Sequence, residues 1–304
     1  MPAVSVIMNV RNGGATLRAA LQSVMAQTFS DWEVIVWDDR STDESARVVA
    51  EFVDPRIRYS LAPVETSLGQ ARDAAIRHAR GDWLAFLDQD DLWLAHKLEL
   101  QLALGNERQV GLIYGRTLCF YPNGSLRDYD YFHEFTPLPE GGILAELLGR
   151  GCFIAMSSVL LRRSAIYEVG GIPPHIQVTP DYFLYLSVCG NYSARAVQEV
   201  VAHYRIHPAS MTKTYRRESL EETLRLVDDW RSHLSPAAYA RRRVRIATTL
   251  ALEEMLLPGE RGRGIRRLLT DGSLVWLVSR PCIHMWRLIR RRLRRPYWKK
   301  SAKG

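Results

Sequence analysis

Gly81-Asp82-Trp83-Leu84-Ala85-Phe86-Leu87-Asp88-Gln89-Asp90-Asp91 is the stretch from which the rest of the chain can be read. Trp83 to Leu87 is an apolar run with strand character, and it delivers three carboxylates in four residues before Leu92-Trp93-Leu94 closes behind them. Buried strands do not ordinarily end this way, because like charges at that spacing repel and desolvation adds to the cost. A positive partner is expected there. Hard oxygen ligands from only two or three carboxylates suit Mg²⁺ or Mn²⁺, which keeps positions open for phosphate oxygens, rather than a closed protein cage. An acidic turn that only caps the next helix is the alternative, since Asp is a good N-cap.

Working outward toward the N-terminus, Val4-Ser5-Val6-Ile7-Met8 is short, β-branched and nearly continuously apolar, as a central parallel strand should be. Asn12-Gly13-Gly14 turns the chain, with Thr16 expected to cap a helix through Met25. Glu33 to Trp37 reads as a second strand ending in Asp38-Asp39-Arg40-Ser41-Thr42-Asp43, with Ser41 or Thr42 capping a helix over 44–52. Ile57 to Leu61 is a third strand, and a loop at Ser67-Leu68-Gly69 precedes a helix over 70–79. Strand and helix alternating in this way predict a doubly wound α/β sheet, whose ligands bind outside the carboxyl ends of the strands. Asp38/Asp39 and Asp88/Asp90/Asp91 should therefore face one crevice.

Downstream, Val110 to Phe120 reads as a strand-pair region with Gly111 and Gly115, and 121–150 as a loop-rich, aromatic segment with a helix near Ile143–Leu148. Cys152 to Leu161 reads as a further strand, and Arg162 starts a helix that stops at Gly170-Gly171. Asp181 opens an aromatic helix, and Val197 to Tyr204 is a late strand. From Ser219 the pattern turns helical and charged, so the division expected is an α/β domain over 1–215 and a helical basic region over 216–304.

Four scattered cysteines without a CxxC pair fit free thiols in a reducing compartment. Met1-Pro2-Ala3-Val4 leads straight into a strand without signal-peptide character, and no run approaches the ~18 apolar residues of a spanning helix. A cytoplasmic protein is expected. The net charge of +8 hides an asymmetry: residues 241–304 carry 18 Lys/Arg against 4 Asp/Glu, whereas the preceding 240 residues are net acidic. Arg287 to Lys300 is basic with interleaved aromatics, and Ile283, Trp286, Ile289 and Leu293 share a helical face. That pattern suits a helix lying in the headgroup region of an anionic membrane, on the inner face of the cell membrane. Nucleic acid is the rival partner for such charge, but no nucleic-acid fold pattern accompanies it.

Taken together, Val4 to Gly13, Val34 to Asp43, Ala71-Arg72-Asp73-Ala74-Ala75, Phe86 to Trp93, Val169-Gly170-Gly171-Ile172 and Tyr204 to Met211 resemble the family 2 glycosyltransferases, inverting enzymes with a GT-A fold. The resemblance spans about residues 3–213 in the family's order. It implies a mixed, doubly wound sheet and a nucleotide-diphosphate sugar donor, linked to UDP, dTDP or GDP. It also implies that Asp39 meets the base, with Arg72 and the backbone of Val10 alongside. Asp88 would hold the ribose or reach it through a divalent cation, Mn²⁺ or Mg²⁺. Asp90 would ligate that cation, and His207 would approach the diphosphate or the metal from the other side. The family places a Glu-Asp pair where this chain has Pro180-Asp181, so the general-base role falls to Asp181, and Pro is comfortable in a first helical turn.

Those roles imply transfer of one sugar, with inversion, to an acceptor hydroxyl, with Tyr182 or Trp93 walling the pocket. A Gln-x-x-Arg-Trp motif and spanning helices, as in processive relatives, are absent from the sequence. The acceptor expected is a glycan or lipid-linked glycan of cell-surface polysaccharide synthesis, contacted through 121–150 and Met156–Ser158. Two rivals stand beside this reading. One is a binding protein without catalysis, motivated by Pro180. The other is a nucleotidyltransferase, for which Asn12-Gly13-Gly14 is too short a phosphate loop.

Overall fold

The structure is a computed structural model that describes residues 1–121, 125–130, 137–207, 210–256 and 259–270. The chain divides into two compact units, Met1–Lys213 and a second beginning at Thr214.

The first unit is built on one mixed sheet of nine strands: β1 (Val4–Val10), β2 (Trp32–Asp38), β3 (Ile57–Leu61), β4 (Trp83–Phe86), β5 (Leu92–Trp93), β6 (Val110–Phe120), β7 (Leu126–Asp130), β8 (Leu160–Arg162) and β9 (Ser193–Arg205). Its order is β3-β2-β1-β4-β8-β6-β9-β5, with β7 paired to β6. The first four in that order run parallel, β8 lies antiparallel to β4 and β6, and β6 returns to a parallel pairing with β9. The helices of this unit are α1 (Gly14–Met25), α2 (Ser45–Ala50), α3 (Leu68–Arg77), α4 (Lys97–Leu102), α5 (Leu144–Arg150), α6 (Arg163–Glu168) and α7 (Pro180–Cys189).

Alternation along β1 sorts its side chains between two layers. Val4, Val6, Met8 and Val10 join Leu17, Leu21 and Val24 of α1 and Val48 and Val49 of α2 in the core. Ser5, Ile7 and Asn9 face the opposite layer, where α3 packs on β1 and β2. Polar residues on that face are satisfied in part by one another: Ser5 Oγ donates to Glu33 and accepts the N–H groups of Arg80 and Gly81.

Several local expectations are corrected. Gly13, not Thr16, precedes α1, and the turn there is held by side chains from the β2 exit: Gly13 N–H donates to Ser45 Oγ and Gly14 N–H to Asp43. Asp43, not Ser41 or Thr42, accepts the Ser45 N–H at the start of α2, and Ser41 accepts from Asn12 instead. Ser67 is the cap of α3 and shares a capping box with Gln70, so the helix begins at Leu68. Val110 to Phe120 is one strand, not two. Met156–Ser158 is a 3₁₀ turn, and only Leu160–Arg162 of the run around it is strand.

Beyond α8 (Met211–Thr214), the second unit comprises α9 (Arg216–Asp229), α10 (Pro236–Leu256) and α11 (Arg261–Thr270). Leu226 and Val227 of α9 and Ile246, Ala247, Leu250 and Ala251 of α10 are buried, and α10 packs against both α9 and α11. No described helix is long and apolar enough to cross a membrane. Residues 287–300, the expected membrane-lying segment, fall outside the described residues, as do most of the aromatics of the 121–150 loop.

Candidate active site

The carboxyl ends of β1, β2 and β4 are neighbours because these strands pair in parallel, with Val10 beside Asp38 and Ile7 beside Phe86. Both acidic groups lie along this edge. Asp39 is 6% exposed; its N–H donates to the Val10 carbonyl at 2.8 Å, and its Oδ1 accepts Thr66 N–H at 3.0 Å and Thr66 Oγ1–H at 3.1 Å. Burial raises the Asp39 pKa, against the bonds from Thr66 and the nearby Arg11 guanidinium. The Val10 carbonyl is thus already engaged by Asp39, which ties the two residues expected to meet the base to each other.

Past β4 the carboxylates take separate roles. Asp88 receives Arg72 Nη2 at 3.0 Å, with Arg72 buried on α3. Burial raises the Asp88 pKa, to about 6; Arg72 opposes that shift, and Asp90 and Asp181 add to it. Asp90 Oδ2 lies 2.6 Å from His207 Nε2, both side chains about a quarter exposed. Asp91 is 1% exposed and turned inward, where it accepts Ser157 Oγ–H at 2.6 Å and the Arg205 N–H at 2.8 Å. Burial, with Asp90 and Asp88 close by, pushes its pKa well above the usual carboxylate range, and those two donors resist the push. Arg205 also donates Nε–H to the Asp90 carbonyl at 2.7 Å, so the end of β9 is fastened to the acidic loop and delivers His207 beside Asp90.

Asp181 sits in the first turn of α7, behind Thr179 and Pro180. Its Oδ1 accepts the Tyr182 N–H at 2.8 Å, and the Cys152 thiol stands 3.9 Å from Oδ2. Burial raises its pKa, opposed by Arg72 and the Tyr182 N–H. Arg72 and Asp88 act on its charge, and α3, which carries Arg72, packs on α7.

The loop carrying Asp181 is fixed by α3 at two points. Gly69 N–H donates to the Gln177 carbonyl, and a Cβ on Gly69 would lie 1.9 Å from the Ile176 carbonyl oxygen. Farther along α3, Asp73 accepts the Ile172 N–H at 2.9 Å, beside Gly171 in the left-handed conformation at φ +74°. One helix therefore carries Arg72 and holds the segment that leads to Asp181.

Several residues here hold roles that sequence reasoning did not give them. Ser157 accepts the Asp88 N–H at 3.2 Å while donating to Asp91, so one buried hydroxyl spans the acidic loop. Gln89 donates to the Arg11 carbonyl and accepts the Arg11 N–H, which ties the β1 exit to that loop. The Asn9 amide is buried without a hydrogen-bond partner among the described residues, as is Arg72 Nε. A serine pair within an apolar run was the available signal for Ser157, since a buried hydroxyl must find partners. Two expectations change. Met156–Ser158 is buried behind the carboxylates and offers no surface to an acceptor. Tyr182 and Trp93 are packed scaffold, donating to the carbonyls of Leu147 and Ser157, and do not wall the pocket.

Among the described residues no group of three or more His, Cys, Asp or Glu is arranged as a metal cage. The donor set fits an ion that takes the rest of its shell from substrate: Asp90 and His207 are adjacent and partly exposed, with Asp88 alongside.

The family described as Glycosyl transferase family 2 matches residues 5–170. The chain belongs to that family. This family 2 glycosyltransferase is 30% identical over 217 residues to the Escherichia coli UDP-Glc:alpha-D-GlcNAc-diphosphoundecaprenol beta-1,3-glucosyltransferase WfgD, covering 71% of this chain and 81% of that one. It is 29% identical to the putative teichuronic acid biosynthesis glycosyltransferase TuaG of Bacillus subtilis, covering 67% and 79%. Its fold is that of solved GT-A enzymes. Pyrobaculum calidifontis PcManGT, a mannosyltransferase solved with GDP-Man and Mn²⁺, aligns at TM-score 0.59 and 18% identity over 99% of this chain and 83% of its own. Staphylococcus aureus TarS residues 1–349, solved with UDP-GlcNAc, aligns at 0.57 and 17% over 88% and 73%.

Proposed function

We propose that this glycosyltransferase moves a single sugar, with inversion, from a UDP-linked donor to a hydroxyl of a lipid-linked glycan at a membrane surface. The observation that carries the reading is the grouping of Asp181 with Arg72 and Asp88, a raised carboxylate beside the residues proposed to hold the donor. Inversion needs one base in line with the anomeric carbon. Asp181 Oδ1 is held by the Tyr182 N–H, which fixes the carboxylate plane, and Oδ2, whose neighbour is the weakly donating Cys152 thiol at 3.9 Å, would take the acceptor proton. A burial-raised pKa suits that task, because a general base works best when its pKa approaches the operating pH.

Asp39 and the Val10 backbone would receive the base of the nucleotide, and Arg72 would place a cation next to the Asp88 carboxylate at the ribose. Asp90 and His207 would hold a divalent cation, Mn²⁺ or Mg²⁺, which when bound supplies Lewis-acid neutralisation of the departing diphosphate. The names of the WfgD-type relatives support a UDP donor and a diphosphoundecaprenol-linked acceptor. Asp181→Asn tests the assignment. Transfer from UDP-glucose or UDP-GlcNAc to a lipid-diphosphate acceptor should fall ~10²–10⁴-fold in kcat while UDP affinity holds. Unchanged turnover would remove Asp181 from the chemistry.

A further inference from the structure

The packing of α11 fixes what it turns outward. Gly264 and Leu268 are buried, and a Cβ on Gly264 would lie 2.5 Å from the Ala251 carbonyl oxygen of α10. Arg267 makes two hydrogen bonds of 3.0 Å to the fully buried Glu254 carboxylate of α10, which sets the rotation of the helix. Ile265 and Leu269, four apart and so on one stripe, are left 45% and 72% exposed, and Leu256 at the end of α10 is 81% exposed. Arg261 and Arg266 flank the stripe at helical spacing, and both are exposed. Neither has a carboxylate partner among the described residues, whereas Arg263 pairs with Glu260 at 3.0 Å.

A solvated helix gains nothing from leucine and isoleucine held between unpaired arginines. The same face would repel a second copy of itself. It matches a surface that is anionic at one depth and apolar a few ångströms deeper. The sequence that follows, 271–304, adds ten Lys/Arg against one acidic residue, so the charge favouring such a surface continues along the chain.

We propose that the exposed face of α11 seats on an anionic lipid surface, with Ile265 and Leu269 entering the acyl boundary and Arg261 and Arg266 meeting lipid phosphates. This deepens the reading of a lipid-linked acceptor and rests on it only for its purpose. The test uses neither donor nor acceptor, so its outcome is separate from that of the catalytic reading.

The full chain is sedimented with vesicles of phosphatidylglycerol and phosphatidylethanolamine, and in parallel with vesicles of phosphatidylcholine alone. Binding is expected to the first only. Ile265→Ser with Leu269→Ser should weaken it about tenfold or more. Arg261→Gln with Arg266→Gln, both at exposed positions where folding is not at stake, should weaken it about fivefold per arginine removed. Equal binding to phosphatidylcholine, or wild-type partition of both double variants with unchanged thermal unfolding, overturns the proposal. So does self-association by sedimentation velocity that Ile265→Ser with Leu269→Ser abolishes, which would assign the face to a second copy.

Discussion

Replacing Ser157 with alanine should loosen the acidic loop from behind. The hydroxyl is fully buried, donates to Asp91 at 2.6 Å and accepts the Asp88 N–H at 3.2 Å. Without it, a 1%-exposed carboxylate keeps only the Arg205 N–H among the described residues, and the Asp88 N–H loses this acceptor. A hydrogen bond contributes a net ~0.5–1.5 kcal/mol and a stranded buried donor costs ~1–3 kcal/mol more, so the loss comes to ~2 kcal/mol. For a unit spanning Met1–Lys213, that corresponds to a fall in Tm of roughly 4–8 °C. The cost should be shared with Asp91. A double-mutant cycle of Ser157→Ala and Asp91→Asn by urea unfolding should show coupling of ~1 kcal/mol or more, well above the ~0.5 kcal/mol scatter of independent sites. Because the same loop carries Asp88 and Asp90, nucleotide affinity should weaken in Ser157→Ala as well. Additive effects, or a Tm within a degree of wild type, would refute the claim that this hydroxyl organises the carboxylates.

Gly69→Ala should be destabilising by ~1–3 kcal/mol through overpacking, since the new Cβ meets the Ile176 carbonyl oxygen. It should lower kcat more than it weakens UDP binding, because the loop it displaces leads to Asp181; denaturation and steady-state kinetics check both. Acid stability should depend on Glu33. Burial alone would raise its pKa, but bonds from Ser5, the Arg80 N–H and Arg58 outweigh that and lower it from 4.5. A lowered folded-state pKa contributes stability above the unfolded pKa, and that contribution is lost as pH falls through the folded value. Wild type should therefore lose stability faster than Glu33→Gln below about pH 4.5, as urea midpoints against pH will show.

Much of this architecture was legible in the sequence because the first hundred residues keep their signals local. Apolar strands end in polar turns, and those turns fall on one edge by the geometry of parallel pairing. The errors share a cause: burial in three dimensions produces apolar sequence whatever the backbone does. Cys152 to Leu161 looked like a strand because all of it is buried or nearly so, yet Ser157 and Ser158 bend it into a 3₁₀ turn. Gly111 and Gly115 looked like a break in β6. They are close approaches, where a Cβ would stand 2.5 Å from the Tyr192 side chain and 2.6 Å from that of Val201. Asp90 and His207 were legible as residue types, but their contact depends on Arg205 fastening β9 to the acidic loop across more than a hundred residues. Ser157 and Gln89 act through side-chain to backbone bonds that reach across 69 and 78 residues, which no local pattern announces.

A metal-assisted nucleotide site at the β4 exit can be tested by calorimetric titration with UDP, with and without Mn²⁺, on wild type and Asp90→Ala. Wild type should bind UDP more tightly with Mn²⁺, and at 100 times Kd the ligand should add ~2.7 kcal/mol of stability. Asp90→Ala should lose the Mn²⁺ dependence, while Asp181→Asn keeps it. UDP binding that ignores Mn²⁺, or that survives unaltered in Asp90→Ala, would contradict the assignment.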